Sequence, residues 1–472
     1  MALVATGALV SWPGLAIGRF LYPDEAVYAV VAQRWSEGAL PYRDAFDHKP
    51  PLVYALFRVG LALAGGSLWG VRLLFALIAV LTGWVVAELV VRLRGPTSWL
   101  PAGAAGVLAV GSFYASATGW GAANTEFPMQ LFCALALLLL LRRSGWADLA
   151  AGLCAGLALL AKPICLPVLA AFLVLTGLDP RRVARWSAGC LLAIAPFGLY
   201  FWAKGALPAA WEAIVTYNAV YRRTGSIPLL ERAGVAARRL GEGLPALLPG
   251  SAILAVLARR VGRPALLALC WCALGALAVL LTGRFYPHYL HQLAVPLCLA
   301  TGLALDALAP RPRLALVALL AILCAPTIVG TEWQLRYFRF NPKALWPEEA
   351  AREVAERTGA GEPILVIGSQ PEIHFLARRP PVSRFFFRIY YYGPSDFARR
   401  ARQELLEEIR RRPPRAVVIA TDDAAPEAPR TGTQEWELFW RPQVGALFGG
   451  YHAKTSRYYV LLVAPTPPGG PR

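Results

Sequence analysis

Four short stretches hold most of the residues in this chain that could move a proton or grip an anion. Residues 20–49 carry Asp24, Glu25, Arg43, Asp44, Asp47, His48 and Lys49. A second stretch has Asn124 and Glu126, a third has Tyr217, Asn218, Tyr221, Arg222 and Arg223, and a fourth, GRFYPHYLHQ, has Arg284, Tyr286, His288 and His291. Lys162 stands by itself before Pro163. Carboxylates beside amines, guanidiniums and imidazoles suit an anionic headgroup: cations offset its charge while a carboxylate accepts a proton. Each residue also has a simpler reading. Pro23, Asp24 and Glu25 resemble a helix start, where proline and acids are favoured. Lys49 reads as a lysine reaching toward headgroups. His288 and His291 are one turn apart and suit polar contacts better than metal ligation. Glu126 could pair with a neighbouring base, and the tyrosines could belong to an interfacial aromatic belt. What favours a site is the convergence of all these residues on one face.

That convergence depends on the elements carrying them. Hydrophobic residues make up 57% of the 472 and charged residues 16%, where soluble domains run at about 25% charged. The shortage is local. Apolar runs recur up to about residue 330, near the length of about 20 residues that a bilayer-spanning helix needs. Spans are expected at 2–19, 68–91, 98–118, 126–141, 147–162, 163–178, 183–203, 243–258, 264–282, 289–309 and 313–330. The first apolar stretch is read as a membrane helix rather than a cleaved signal.

A net charge of +18 is not a nucleic-acid signature here, because the basic residues of the first 330 positions sit mainly in pairs between apolar runs. Arg92 with Arg94, Arg142 with Arg143, Arg181 with Arg182 and Arg185, Arg259 with Arg260 and Arg263, and Arg311 with Arg313 occupy alternate gaps. They mark the cytoplasmic side. Loops around Asn124 and Lys162, loop 204–242, segment 283–288 and everything after Gly330 are then external. Residues 50–66 decide where loop 20–49 lies. This stretch opens with two prolines and has Arg58 at its middle, which would cost at least about 2.5 kcal/mol at the centre of a spanning helix. It is read as lying along the outer surface. That gives eleven spans, with loop 20–49 external.

The eight cysteines all fall in apolar helices, so they are read as packing residues and no disulfide framework is expected. Residues 331–472 switch pattern. PEEAAREVAERTG and PSDFARRARQELLEEIRRR read as helices, and PILVIG, RAVVIA and RYYVLLVA as strands. A transmembrane domain, 1–330, and a small extracytoplasmic α/β domain, 331–472 with a disordered end, are expected. The richness in Arg, Ala, Leu, Gly and Pro suggests a high-GC bacterial genome.

Three motifs, in order, carry a family resemblance. PDEAVYAVVAQRWSEGALPYRDAFDHKPPLVYALF, NTEFPM and GRFYPHYLHQLAVPL resemble the GT-C glycosyltransferases of the protein O-mannosyltransferase and aminoarabinose transferase type. The nearest branch is the bacterial one that includes lipopolysaccharide core galacturonosyltransferases. The resemblance implies a polytopic GT-C-like fold with surface-lying helices in the first external loop. It also implies inverting transfer from a polyprenyl-phosphate sugar, either metal-free or assisted by a divalent cation. The family's catalytic acid maps onto Asp24, with Glu25 beside it, and the lysine of its KP motif maps onto Lys49, at the lipid phosphate. By position, Arg222, Arg284 and His288 are further candidates for that phosphate. His48, Asn124, Glu126, Tyr217, Asn218, Tyr221 and Tyr286 are candidates for support or acceptor contact.

The implied partners are a polyprenyl-phosphate-linked sugar, an extracytoplasmic glycan, lipid or protein acceptor, and membrane lipids, at a bacterial inner membrane. The main competing reading is a transporter or flippase. It predicts ionisable groups near the midplane and inverted repeats, whereas Glu88 and Asp306, acids within apolar spans, sit near the inner ends. A polymerase or ligase of surface polysaccharide competes with it, as does a catalytically idle binding protein in which Asp24 would be dispensable.

Overall fold

The computed structural model describes residues 19–20, 22–115, 122–223, 227–315, 317, 336–337, 340–391, 395–421 and 436–465. The expected first span, most of the last one, and the end of the chain lie outside the described residues. The chain falls into two compact units. A helical unit takes in Met1–Leu21, Lys49–Gly205 and Gly225–Leu335, and a sheet unit takes in Tyr22–His48, Ala206–Thr224 and Arg336–Arg472.

In the helical unit, Leu68–Arg94, Pro180–Ala203, Arg263–Thr282 and Pro287–Ala307 are long and apolar enough to cross a membrane. Shorter apolar helices occupy Leu52–Leu63, Glu126–Leu140, Gly145–Ala161, Pro163–Thr176 and Pro245–Val256. Leu52–Leu63 has 12 residues and exposes Arg58. At 1.5 Å per residue it is about 18 Å long, against a hydrocarbon core of about 30 Å. Its length fits a surface helix better than a crossing.

Small residues bring helices together. Gly152 and Gly156 lie one turn apart on Gly145–Ala161, which packs against Pro180–Ala203. A Cβ on Gly152 would collide with the Trp186 carbonyl oxygen, and one on Gly189 would collide with that of Leu149. At these positions the two backbones touch, and only hydrogen fits between them.

Ion pairs tie helix ends where the arginines cluster. Arg94 Nε meets Asp306 at 2.6 Å, and the Ser98 hydroxyl donates to the same carboxylate at 2.5 Å. Arg182 pairs with buried Asp148 at 3.0 Å. It also donates to the carbonyls of Leu140 (2.9 Å), Thr176 (3.0 Å) and Gly177 (3.1 Å). One guanidinium thus satisfies carbonyls at the ends of two helices and holds the start of a third. The acids expected near inner ends are therefore structural in one case, Asp306.

The sheet unit has strands β1 (Ile364–Ile367), β2 (Ala416–Ala420), β3 (His452–Thr455) and β4 (Tyr459–Val463), in the order β1-β2-β4-β3. β1 and β2 are parallel, with Ile364 opposite Ala416, and both are buried throughout. Their unbroken apolar runs follow from burial on both faces. β4 runs antiparallel to β2 and to β3. The three expected strands form. β3 is a fourth, and its HAKT side chains are all exposed on the sheet edge, which left it no apolar pattern to detect. The Pro342–Arg357 helix covers the core with Trp346, Ala350, Ala351 and Val354. The Asp396–Arg411 helix is capped by Ser395, whose hydroxyl accepts from the Ala398 amide at 3.1 Å, and it buries Phe397, Ala401, Leu405 and Ile409. The Pro23–Ser36 helix packs against Glu372–Ala377.

Replacing Arg182 with Gln should lower the thermal unfolding midpoint in detergent by the equivalent of about 3–5 kcal/mol, the usual cost of removing one member of a buried ion pair. An unchanged midpoint would show that the network contributes nothing to stability.

Candidate active site

The sheet unit holds the acids of the first loop. Asp24 is the second residue of the Pro23–Ser36 helix, whose residues 26–32 are buried on every side. A helix enclosed all round is fixed in position, and so its first turn is fixed too. Asp24 is half-buried there, while Glu25 is 2% exposed.

The chain then reverses at Tyr42, whose φ of +70° is an uncommon conformation for a tyrosine. Several bonds hold this turn. The Tyr42 amide donates to the Ala45 carbonyl at 2.8 Å, and the Asp44 carboxylate accepts from the Leu40 amide at 2.7 Å. The turn delivers Phe46, Asp47 and His48 into the interior. The Phe46 ring lies 4.9 Å from those of Phe385 and Tyr390 and 5.5 Å from Phe397. Arg384 lies 4.5 Å over Phe385 and pairs with Glu404 at 2.6 Å and Glu212 at 3.2 Å.

Asp47 is 1% exposed. The Tyr390 hydroxyl donates to it, and His48 Nδ1 lies 3.1 Å from that hydroxyl and 3.2 Å from the carboxylate. Burial drives the Tyr390 pKa well above its ordinary value, and the negative charges of Asp47 and, to a smaller extent, Asp24 add to the effect. The phenol therefore keeps its proton and remains a donor. Tyr217 and Tyr221 flank the imidazole, with ring centroids 5.3 and 5.0 Å away. The Asn218 side-chain amide donates to the His48 carbonyl at 2.8 Å. Arg222, at the end of the same short helix, is exposed.

The helical unit holds a second cluster. Glu126 is fully buried at the start of its helix, and Lys162 donates to it. The Lys162 ammonium also lies 4.1 Å over the Tyr289 ring. Thr125 donates to the other carboxylate oxygen at 3.0 Å. Tyr286 stacks on His288 at 5.7 Å with rings 4° from parallel, and Arg284 donates to the Tyr286 hydroxyl at 3.4 Å. Gln130 donates to the His291 carbonyl at 2.6 Å. Asn124 is buried, and its side-chain oxygen accepts from the Thr125 amide at 2.7 Å. Lys49, the residue after His48, is half-buried, and its carbonyl accepts from the Tyr54 hydroxyl at 3.2 Å.

Of the residues singled out by sequence, the structure groups Asp24, His48, Tyr217, Asn218 and Tyr221 in one unit and Glu126, Arg284, Tyr286 and His288 in the other. Lys162 is the base anticipated beside Glu126. Sequence reasoning did not single out the Asp47–Tyr390 pair. Asp47 sits visibly in the DHKPP motif, but nothing local ties it to a tyrosine 343 positions away. Among the described residues, no group of three His, Cys, Asp or Glu side chains is placed to hold a metal ion.

A family model described as dolichyl-phosphate-mannose-protein mannosyltransferase matches residues 48–202. These include His48, Lys49, Glu126 and Lys162. ArnT from Cupriavidus metallidurans, crystallised with undecaprenyl phosphate, has a similar structure: TM-score 0.67, 16% identity, covering 100% of this chain and 98% of that one. Its apo form gives 0.66 at 17% identity, covering 98% and 96%. The oligosaccharyltransferase of Archaeoglobus fulgidus, crystallised with zinc and sulfate, gives 0.52 at 14%, covering 98% of this chain and 73% of that one. No curated protein sequence matches. The resemblance to GT-C glycosyltransferases drawn from the three motifs is borne out, and the chain is a multi-pass membrane protein of that fold.

A double-mutant cycle between Tyr390→Phe and Asp47→Asn should give a coupling of about 1–3 kcal/mol in unfolding free energy. Additive effects would contradict the bond.

Proposed function

We propose that this protein is a membrane glycosyltransferase that moves a sugar, with inversion, from a polyprenyl-phosphate donor to an acceptor in the bacterial envelope. The observation that carries this reading is the structural match to ArnT bound to undecaprenyl phosphate, over essentially the full length of both chains. The order of DE, DHKPP, NTE and RFYPHY motifs supports it. The reaction is placed on the outer face of the cytoplasmic membrane because the arginine doublets fall in the alternate loops, on the opposite side from these motifs.

In the proposed reaction an acceptor oxygen or nitrogen attacks the anomeric carbon in line with the leaving group. The bond from that carbon to the phosphate oxygen breaks, and polyprenyl phosphate departs with the electron pair. The acceptor proton passes to the Asp24 carboxylate, with Glu25 beside it. Phosphate leaves as a stable anion, so no acid is needed on that side. Fixed cations that meet the growing negative charge stabilise the transition state more than the ground state. Lys49 is the first of these, with Arg222, Arg284 and His288 as further candidates. His48, Asn124, Glu126, Tyr217, Asn218, Tyr221 and Tyr286 support these groups or contact the acceptor.

Asp24→Asn should reduce turnover by roughly 10²–10⁴-fold, the range for a lost general base, with the unfolding midpoint unchanged. Near wild-type turnover would remove Asp24 from that role. Lys49→Ala should weaken binding of polyprenyl phosphate about tenfold or more, the scale of one charge-assisted hydrogen bond. Equal affinity in a direct binding assay would count against the phosphate contact.

A further inference from the structure

The helical unit also contains a cavity of about 420 Å³ lined by Glu88, Arg92, Leu138, Arg142, Ser144 and Trp146. It lies where the Leu68–Arg94 helix ends and where Glu126–Leu140 turns into Gly145–Ala161. Glu88 and Arg92 are one helical turn apart, a spacing that usually gives an ion pair. Here neither makes one among the described residues. Arg142 has its guanidinium 5.7 Å from the Trp146 ring and is otherwise exposed. The Ser144 hydroxyl oxygen is buried with no hydrogen-bond partner among the described residues. The cavity therefore presents two guanidiniums and one carboxylate, none in an ion pair among the described residues, and one unsatisfied hydroxyl.

The helix that supplies Glu88 and Arg92 shows what approaches the cavity. Leu73, Leu77, Leu81 and Trp84 are exposed along it, at a spacing of three or four residues that continues to Glu88 and Arg92. This is a single apolar stripe ending in a charged cup. In a protein that crosses a bilayer, such a stripe faces acyl chains, and a cup at its end lies at headgroup depth. The exposed Trp146 marks the same level.

We propose that this cavity binds the phosphoethanolamine headgroup of a membrane phospholipid, with the acyl chains along the stripe. Two guanidiniums suit a phosphodiester, since each offers a planar fork of donors, and the Ser144 hydroxyl provides another donor. Glu88 is the discriminating residue. Beside a purely anionic headgroup its charge would be repelled, whereas a primary ammonium two carbons beyond the phosphate gives it an N–H donor that the quaternary ammonium of choline lacks. Basic pockets between helices generally recruit lipid headgroups, and the added carboxylate makes this one zwitterionic. The inference does not depend on the transferase reading, because none of these residues belongs to the proposed reaction.

The test is native mass spectrometry of the full chain in detergent. The probes are dioleoyl phosphatidylethanolamine, phosphatidylglycerol and phosphatidylcholine in equal amounts, and soluble phosphoethanolamine. The wild type should retain one phosphatidylethanolamine in preference to the other two lipids. Arg92→Gln and Arg142→Gln should each reduce retention about tenfold, as expected for one charge-assisted contact. Glu88→Gln should remove the preference among headgroups while lipid is still retained. Both arginines are exposed and make no ion pair among the described residues, so these variants should fold; unchanged unfolding midpoints would verify it. Indifference to headgroup in the wild type, or unchanged retention in the arginine variants, would overturn the proposal. Equally tight capture of soluble phosphoethanolamine would overturn the lipid assignment.

Discussion

Charge held away from water has to be answered by a fixed partner, and that constraint shapes both units of this protein. In hydrocarbon or a dry interior, an unpaired ion costs several kcal/mol. Lys162 answers Glu126, Arg182 answers Asp148, and Arg94 answers Asp306. In the sheet unit, Tyr390 and His48 answer Asp47. Each pairing also joins chain segments that hydrophobic packing alone would leave free to slide. Arg182, for example, draws together the ends of Glu126–Leu140 and Pro163–Thr176 and the start of Gly145–Ala161.

The same constraint separates structural from chemical groups. Glu126 and Asp47 are deeply buried and already held, so they suit positioning better than proton transfer. Asp24 is half-buried at the head of a buried helix, and it is the acid to which the proposed reaction assigns the acceptor proton. The acids near the Arg-rich helix ends do not resemble an ion-translocation path: Asp306 is tied to Arg94 and Ser98, while Glu88 opens onto a surface cavity. A transporter would need such groups near the midplane.

Much of the fold was legible from hydropathy, because a bilayer admits few solutions to the problem of satisfying backbone groups. The three strands PILVIG, RAVVIA and RYYVLLVA were legible as apolar runs, and the exposed edge strand HAKT was not. Segments 22–48 and 206–224 join the same compact unit as the tail. This was invisible in the sequence because it depends on long-range pairs such as Asp47 with Tyr390 and Arg384 with Glu212, which leave no periodicity. Candidate site residues were legible as types and motifs. Which of them touch was not: His48 beside Tyr217 and Tyr221, or Glu126 beneath Lys162, emerges only once the chain is folded.

The most direct measurement is to incubate the purified protein with a panel of polyprenyl-phosphate sugars and candidate envelope acceptors. Mass spectrometry would follow release of free polyprenyl phosphate, and NMR would give the anomeric configuration of the product. The account predicts release from at least one donor, matched mole for mole by a glycosylated acceptor of inverted configuration. Release with retained configuration, or no release from any donor by a folded protein, would contradict it.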